Sequence, residues 1–337
     1  MKINDVAKYA DVSLATVSRV INGKKVKEET KKKVEEAIKA LNYTPNFMAS
    51  SLQKTKSNMI LILVPEISNP YYSAILEGVE LTAKNSGYNI ILGSSYSSEE
   101  QLLDYLTLLN RKLVDGVILL EKIEKKKIMN KINDENLYKK IVQCSEYIEE
   151  NNLSCVTIDH KKAAYEAVNY LISIGKKELY LFRMKKNYTY STLRREGFLQ
   201  ALKDNNIEFK KENEIILDEL SIKEAFKQMN IILNNRKIEN IGIFTVSDVL
   251  GIGIIKALNT KKIKIPEEAA VIGFDNIDFS TVTEPALTTI SQPGYELGAE
   301  SVKCLLKIIN GEKTSSEKII LEHELIVRES TNRSVLK

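Results

Sequence analysis

The sequence predicts a small all-α head followed by an α/β body of two doubly wound parallel-sheet lobes. Three observations carry this. Residues 1–57 hold short, closely spaced amphipathic helices rich in lysine, and from Met59 onward apolar strands alternate with helices in two successive series. The strands are continuously apolar, as strands covered on both faces are. At 337 residues the chain is long enough for two or three domains.

In the head, Val6, Ala7 and Ala10 recur at helical spacing, and Asp11 suits the left-handed backbone of a tight turn. Ser13 can cap a second helix whose Val17, Val20 and Ile21 face inward, which turns Leu14, Ala15, Ser18 and Arg19 outward. A DNA-binding helix-turn-helix presents that face to the major groove; an ordinary helical hairpin packed through small residues is the alternative. Asn22-Gly23 breaks the second helix, and a third runs from about Glu28 to Leu41 on Val34, Ala37, Ile38 and Leu41. Beyond the turn at Asn42-Tyr43-Thr44-Pro45-Asn46, residues 46–54 are expected to form a helix too short to be stable alone, a linker that can order on binding, with a frayed linker of accidental helical character as the alternative.

In the body, strand Met59 to Val64 leads to helix 71–84, stopped by Gly87, and strand Tyr88 to Leu92. Helix Glu99 to Arg111, strand Val114 to Leu120, a lysine-rich helix, strand Ile141 to Cys144 and strand Val156 to Ile158 complete one series. The second comprises helix 161–174, strand Leu179 to Phe182, helix 192–204, strand Ile215 to Leu217, helix 221–233, strand Ile241 to Thr245, helix 248–258 and strand Ala270 to Phe274. Strand Leu287 to Ile290, helix 295–309 and strand Lys318 to Val327 do not extend the second series and suggest a return between lobes. Two such lobes leave a cleft at the carboxyl ends of their strands, where open α/β sheets bind ligands.

Composition bounds the function. Apolar residues make up 43% and charged ones 28%, and no run approaches the roughly 18 apolar residues of a membrane span. The N-terminus lacks a secretory pattern, so a cytoplasmic protein is expected. Cys144, Cys155 and Cys304 are odd in number and widely spaced, and His160 and His323 are the only histidines, so buried free thiols are expected rather than a disulfide framework or metal site. No Gly-rich phosphate loop or nucleophile motif argues for an enzyme, and no cofactor is expected. Residues 1–57 carry twelve Lys or Arg against six Asp or Glu, so the +6 head sits on a body of −2 within a total of +4. That asymmetry suits a head neutralising phosphates, with a merely solvated lysine-rich face as the alternative, since lysine is abundant throughout.

In order and at these spacings, Asp5-Val6-Ala7, then Thr16-Val17-Ser18-Arg19-Val20-Ile21-Asn22, and Leu41-Asn42-Tyr43-Thr44-Pro45-Asn46 resemble the lactose-repressor (LacI/GalR) family of bacterial transcription regulators. Weaker matches are Pro65-Glu66-Ile67-Ser68-Asn69-Pro70-Tyr71-Tyr72, Val114-Asp115-Gly116, Ile272-Gly273-Phe274-Asp275-Asn276 and Pro285-Ala286-Leu287-Thr288-Thr289-Ile290. The resemblance covers residues 3 to about 330, and the segment from Pro65 to Tyr72 is most similar to catabolite-control and sugar-catabolism regulators of Gram-positive bacteria.

The resemblance implies a periplasmic-binding-protein-like body behind a helix-turn-helix head (1–45) and a hinge helix with linker (46–57). The first lobe takes 58–159 and 291–321, the second 160–290 and 322–330, with 331–337 as tail. It implies that Leu14, Ala15 and Arg19 read base edges, that Thr16 and Ser18 lie near phosphates, and that Asn46, Ala49 and Leu52 act from the hinge, Leu52 as a minor-groove wedge. For the cleft it points to Asp159, Arg194 and Asp275, with Tyr71, Tyr72, Tyr188 and Tyr190 as flat surfaces around a ring; any single tyrosine has core or rim packing as its alternative. Asp248 is read as the N-cap of helix 248–258, with a place in the cleft as the alternative. Lys27 stands where a capping serine is usual and Asp11 where glycine is common, both tolerable.

The implied partners are a pseudo-palindromic double-stranded operator, a second copy of the chain, and a sugar or sugar phosphate effector. Ending soon after Arg328 without a leucine-heptad tail, the chain is expected to dimerise, and no membrane is involved. The alternatives are a phosphocarrier protein as corepressor and, from another class, a sugar-binding transport receptor, which the basic head and missing signal disfavour. One departure bears on the ligand: Arg183-Met184-Lys185-Lys186-Asn187-Tyr188 stands where many relatives have a small glycine-containing loop, which puts a transferred ligand identity in doubt.

Overall fold

The computed structural model describes residues 2–21, 24–43, 56–121, 126–134, 136–147, 152–185, 188–312, 315–332 and 334. Contacts divide the chain into Met1–Ser57 and Asn58–Lys337.

The first unit packs α1 (Ile3–Tyr9), α2 (Leu14–Ile21) and α3 (Glu28–Ala40) around Val6, Ala7, Ala10, Val17, Val34 and Ala37. Asp11 makes the turn at φ +50°, and Ser13 Oγ accepts from the Thr16 amide at 3.2 Å to start α2. The α1 start is held by Asp5, whose carboxylate accepts from the Lys2 amide at 2.8 Å. Lys27 makes no side-chain cap on α3, which instead carries Glu28 and Glu29 in its first turn, where negative charge suits the helix dipole. The breaker Asn22-Gly23 and all of 44–55, including the 46–54 segment with Asn46, Ala49 and Leu52, lie outside the described residues.

The second unit runs β1 (Met59–Val64), α4 (Tyr72–Asn85), β2 (Asn89–Ser94), α5 (Glu99–Asn110), β3 (Gly116–Leu119), α6 (Lys126–Asp134), β4 (Ile141–Cys144) and β5 (Ser154–Ile158). It continues with α7 (His160–Ser173), β6 (Glu178–Met184), α8 (Thr189–Asp204), β7 (Glu214–Leu217), α9 (Ile222–Asn235), β8 (Ile241–Thr245), α10 (Asp248–Thr260) and β9 (Ala269–Asp275). Last come β10 (Thr288–Ser291), α11 (Gly294–Ile309), β11 (Lys318–Leu321) and β12 (Glu324–Ile326).

These strands form two six-stranded sheets, ordered β11-β5-β4-β3-β1-β2 and β12-β10-β9-β8-β6-β7. Every pairing is parallel except the antiparallel edge strand β12 on β10. Strand β1 shows why the runs are continuously apolar: Ile60, Ile62 and Val64 join the core under α4 and α11, while Leu61 and Leu63 join the opposite core under α5. A third core fills the second lobe around Phe182, Phe198, Phe244 and Phe274.

The chain passes between the sheets at 158–160, 291–294 and 321–324. The last passage corrects an expectation: Lys318 to Val327 is not one strand, because residues 322–323 interrupt it and its halves serve different sheets. Alternation alone cannot see such a switch, since both halves read as apolar strand.

Helix α11 returns to the first lobe and packs against α4 through facing glycines. A Cβ on Gly298 would lie 2.1 Å from the Ile75 carbonyl, and one on Gly78 would lie 2.0 Å from that of Tyr295, so the two backbones approach too closely for any side chain. Gly298→Ala must push the helices apart. It is expected to cost about 1–3 kcal/mol or more, read as a lower unfolding midpoint by calorimetry; an unchanged midpoint would refute the close contact.

Candidate functional site

The head offers one polar face. On α2, Val17 is fully buried, while Leu14, Ala15 and Arg19 are exposed and Thr16 and Ser18 half-buried. Leu14 stands out as a large apolar side chain 47% exposed at the start of a helix. Thr16 Oγ1 lies 2.9 Å from Ser13 Oγ, so the first turn carries a hydroxyl pair beside that face. Such an arrangement supplies an apolar contact, two hydroxyls and one guanidinium to a groove.

The body holds a cleft of about 680 Å³ at the carboxyl ends of β1, β4, β6, β8 and β9, within the size range of small-molecule sites. Tyr71, Tyr72, Tyr188, Tyr190, Arg194 and Asp275 line it. Tyr71 and Tyr72 enter from the first lobe with ring centroids 5.4 Å apart, and Tyr188 and Tyr190 enter stacked from the second at 5.3 Å.

Six residues form a closed circuit of hydrogen bonds across the two lobes. Arg194, 2% exposed, reaches the Val246 carbonyl and Asp275 Oδ1 (3.5 Å) with Nη1, and His160 Nδ1 (3.3 Å) with Nη2. Because Nδ1 accepts from a guanidinium, the imidazole carries its proton on Nε2, which lies 3.4 Å from the Ser145 carbonyl. Asp275 Oδ1 accepts from Gln292 Nε2 (2.8 Å), Gln292 Oε1 accepts from Tyr71 (3.1 Å), and Tyr71 Oη lies 2.8 Å from Ser145 Oγ. Tyr71 and Ser145 belong to the first lobe, Arg194 and Asp275 to the second, and His160 and Gln292 to two of the passages between them.

The electrostatics follow from burial. Desolvation first, then the neighbouring Arg194 charge, drives His160 well below the usual imidazole range, so it is neutral. Burial also raises the Tyr71 phenol. Asp275 is pushed up to about 6 by burial, against the pull of Arg194 and the hydrogen bonds from Ser247 (2.8 Å) and Gln292. Its backbone sits at φ +113°, a region that favours glycine, so this carboxylate is held in a costly conformation at the end of β9. The Arg194 guanidinium lies 3.4 Å above the Phe274 ring centroid and 4.8 Å from that of Tyr190, a cation between two aromatic faces.

The raised value of Asp275 sets a pH dependence. A carboxyl that binds its proton more tightly when folded adds stability below its unfolded value, near 4, and that contribution is lost as pH rises through about 6. Denaturation curves of wild type and Asp275→Asn from pH 4 to 7 are expected to differ by this falling component, and parallel curves would contradict it.

Two sequence expectations are corrected here. Asp159 is exposed and accepts from the Lys162 amide at 2.9 Å as the N-cap of α7, so it is not on the cleft wall. Asp248 is not the cap of α10. Ser247 is, and Asp248 is wholly buried, accepting from Thr289 Oγ1 (2.6 Å) and the Ile277 amide (3.0 Å). Of the described residues in the bulky segment after β6, Arg183 pairs with Glu214, Lys185 lies 3.0 Å from the exposed, cleft-lining Asp218, and Met184 and Tyr188 line the cleft. Lys186 and Asn187 lie outside the described residues.

Residues that sequence reasoning missed include His160, Gln292, Ser145 and Glu146. Glu146, on the segment after β4, accepts from the Thr189 and Tyr190 amides at 3.0 and 2.9 Å, seating a first-lobe carboxylate on the N-terminus of α8 in the second lobe. Beside it Thr189 Oγ1 donates to the Tyr147 carbonyl at 2.6 Å. The available signal was position: all four residues stand within three residues of a strand's carboxyl end.

Comparison with known proteins adds the family. The model described as bacterial regulatory proteins, lacI family, matches residues 2–46, and the one described as periplasmic binding proteins and sugar binding domain of LacI family matches 57–329. The HTH-type transcriptional regulator RegA of Clostridium acetobutylicum is 38% identical over 331 residues, covering 97% of this chain and 98% of its own. The ribose operon repressor of Halalkalibacterium halodurans is 34% identical over 330 residues, with 98% and 96% covered. A solved complex of the transcriptional regulator CelR with cellobiose superposes with a TM-score of 0.74 at 26% identity, over 98% of this chain and 99% of that one.

Proposed function

We propose that this chain, which belongs to the LacI family of DNA-binding transcription regulators and is not an enzyme, is a cytoplasmic, sugar-responsive repressor of carbohydrate-utilisation genes that acts as a homodimer. The observation that carries the effector reading is the hydrogen-bond circuit through Tyr71, Ser145, His160, Arg194, Asp275 and Gln292. It joins both lobes and two of the passages between them, so a ligand whose hydroxyls engage Asp275 or Tyr71 changes what holds the lobes together. The sugar named for the CelR complex and the operon named for the ribose repressor support a carbohydrate.

In this reading the chain divides into head 1–45, hinge 46–57 and two lobes built from 58–159 with 291–321 and from 160–290 with 322–330. Leu14, Ala15 and Arg19 read base edges of a half-site, Thr16 and Ser18 contact phosphates, and Asn46, Ala49 and Leu52 complete the contact at the operator centre. Tyr71, Tyr72, Tyr188, Tyr190, Arg194 and Asp275 contact the effector. Ligand shifts the population of lobe arrangements and thereby hinge spacing, and operator must alter ligand affinity by the same factor.

Selection of bound duplexes from a random pool tests the reading. A pseudo-palindromic site with steeply salt-dependent binding is expected; binding with no sequence preference in any selected pool would sink it.

A further inference from the structure

The charge of the cleft narrows the ligand. Among the described residues lining it, five are acidic, Glu66, Glu146, Asp218, Glu219 and Asp275, and one is basic, Arg194. That single cation is already engaged by the Val246 carbonyl, Asp275 and His160 and held between Phe274 and Tyr190. Four helix N-termini reach the cleft: that of α8 is filled by the Glu146 carboxylate, those of α9 and α10 are capped by the Ser221 and Ser247 hydroxyls, and that of α4 carries Tyr71 and Tyr72. Of the basic residues just outside, Arg183 and Arg195 share Glu214, while Lys185 lies 3.0 Å from Asp218 and offsets one of the five acids.

What remains for a ligand is a set of hydroxyl partners and aromatic faces. Asp275, Ser145, Ser247 and the tyrosine phenols exchange hydrogen bonds with hydroxyls, and the Tyr71–Tyr72 and Tyr188–Tyr190 pairs present ring surfaces from opposite lobes. We infer that the cleft takes an uncharged sugar or glycoside and refuses phosphorylated sugars, with Glu146 as the residue that enforces the refusal. This rests on the cleft being the effector site. It separates two ligand chemistries, the free sugar and its phosphate ester, by the field they would meet.

The test uses the full-length chain and matched probes: glucose, ribose and cellobiose, each beside its 5- or 6-phosphate, titrated by calorimetry and by shift of the unfolding midpoint. At least one free sugar is expected to bind about 100-fold tighter than its ester, the scale of repulsion between a phosphate and nearby carboxylates. Equal or tighter binding of an ester overturns the inference and leaves the effector site standing. Failure of every sugar and every ester overturns the carbohydrate reading together with the inference. In Glu146→Gln, which keeps an acceptor for one of the two α8 amides and loses the other, the discrimination is expected to narrow about tenfold; unchanged discrimination in a folded variant removes Glu146 from the role.

Discussion

Arg194→Ala is expected to lower the unfolding midpoint of the body by about 10 °C and to abolish the response to effector. The substitution removes at once the cation facing Asp275, the donor to the Val246 carbonyl and to His160, and the filling between Phe274 and Tyr190. Breaking a buried ion pair from one side costs about 3–5 kcal/mol, because the remaining charge is stranded, and each kcal/mol moves the midpoint of a large domain by roughly 2–4 °C. Asp275, already raised to about 6, loses the charge that opposes its desolvation, so its carboxyl is pushed higher. Arg194→Lys restores charge but not the fork that serves three acceptors, so it falls between wild type and alanine. Scanning calorimetry checks the first claim. A midpoint within about 2 °C of wild type for the alanine variant would show that the circuit does not hold the lobes.

The second large effect is expected at Leu52→Ala. In the proposed reading, residues 46–54 act as a segment too short for a helix stable alone, which orders on DNA through the contact it makes. A leucine inserted between base steps bends the duplex and lets two heads dock together. Loss of the wedge is expected to weaken binding to a selected palindromic duplex about 100-fold, the cost of a few kcal/mol of lost contact, while the salt-dependent affinity for random DNA stays. The body's midpoint should not move, which separates a DNA effect from misfolding. Competition binding on both duplexes measures it, and equal affinity of variant and wild type for the palindrome would refute the wedge.

Much of the fold was legible because its signals are local. Strand β1 spans Met59–Val64, as its apolar run predicts, and Asp11 and Ser13 take the turn and cap positions that their side chains favour. Where the reading slipped, two residues shared one local signal. Ser247 and Asp248 both suit a helix start, and only the partners Thr289 and Ile277, brought by β10 and the β9 end, draw Asp248 inward and leave Ser247 as the cap. Asp159 had the converse fate, since a free amide at Lys162 claimed it for α7. In the cleft, chemistry singled out Arg194 and Asp275, but His160 and Gln292 carry no pattern of their own. Their significance comes from the passages on which they sit, and periodicity does not report which strand ends will meet.

The late return of α11 has a consequence for biosynthesis. The glycine face of α4 and the sheet edge that receives β11 are made early, yet their partners begin at Gly294 and Lys318. The second lobe, from α7 through β10, is translated in the interval. At ordinary elongation rates of about 5–20 residues per second this leaves the first lobe unfinished on the ribosome for roughly 10–30 s. The nascent chain therefore exposes an uncovered apolar helix face and an open strand edge for that time. The second lobe also waits, for the edge strand β12 that follows β11, so both lobes are completed only by the last residues translated.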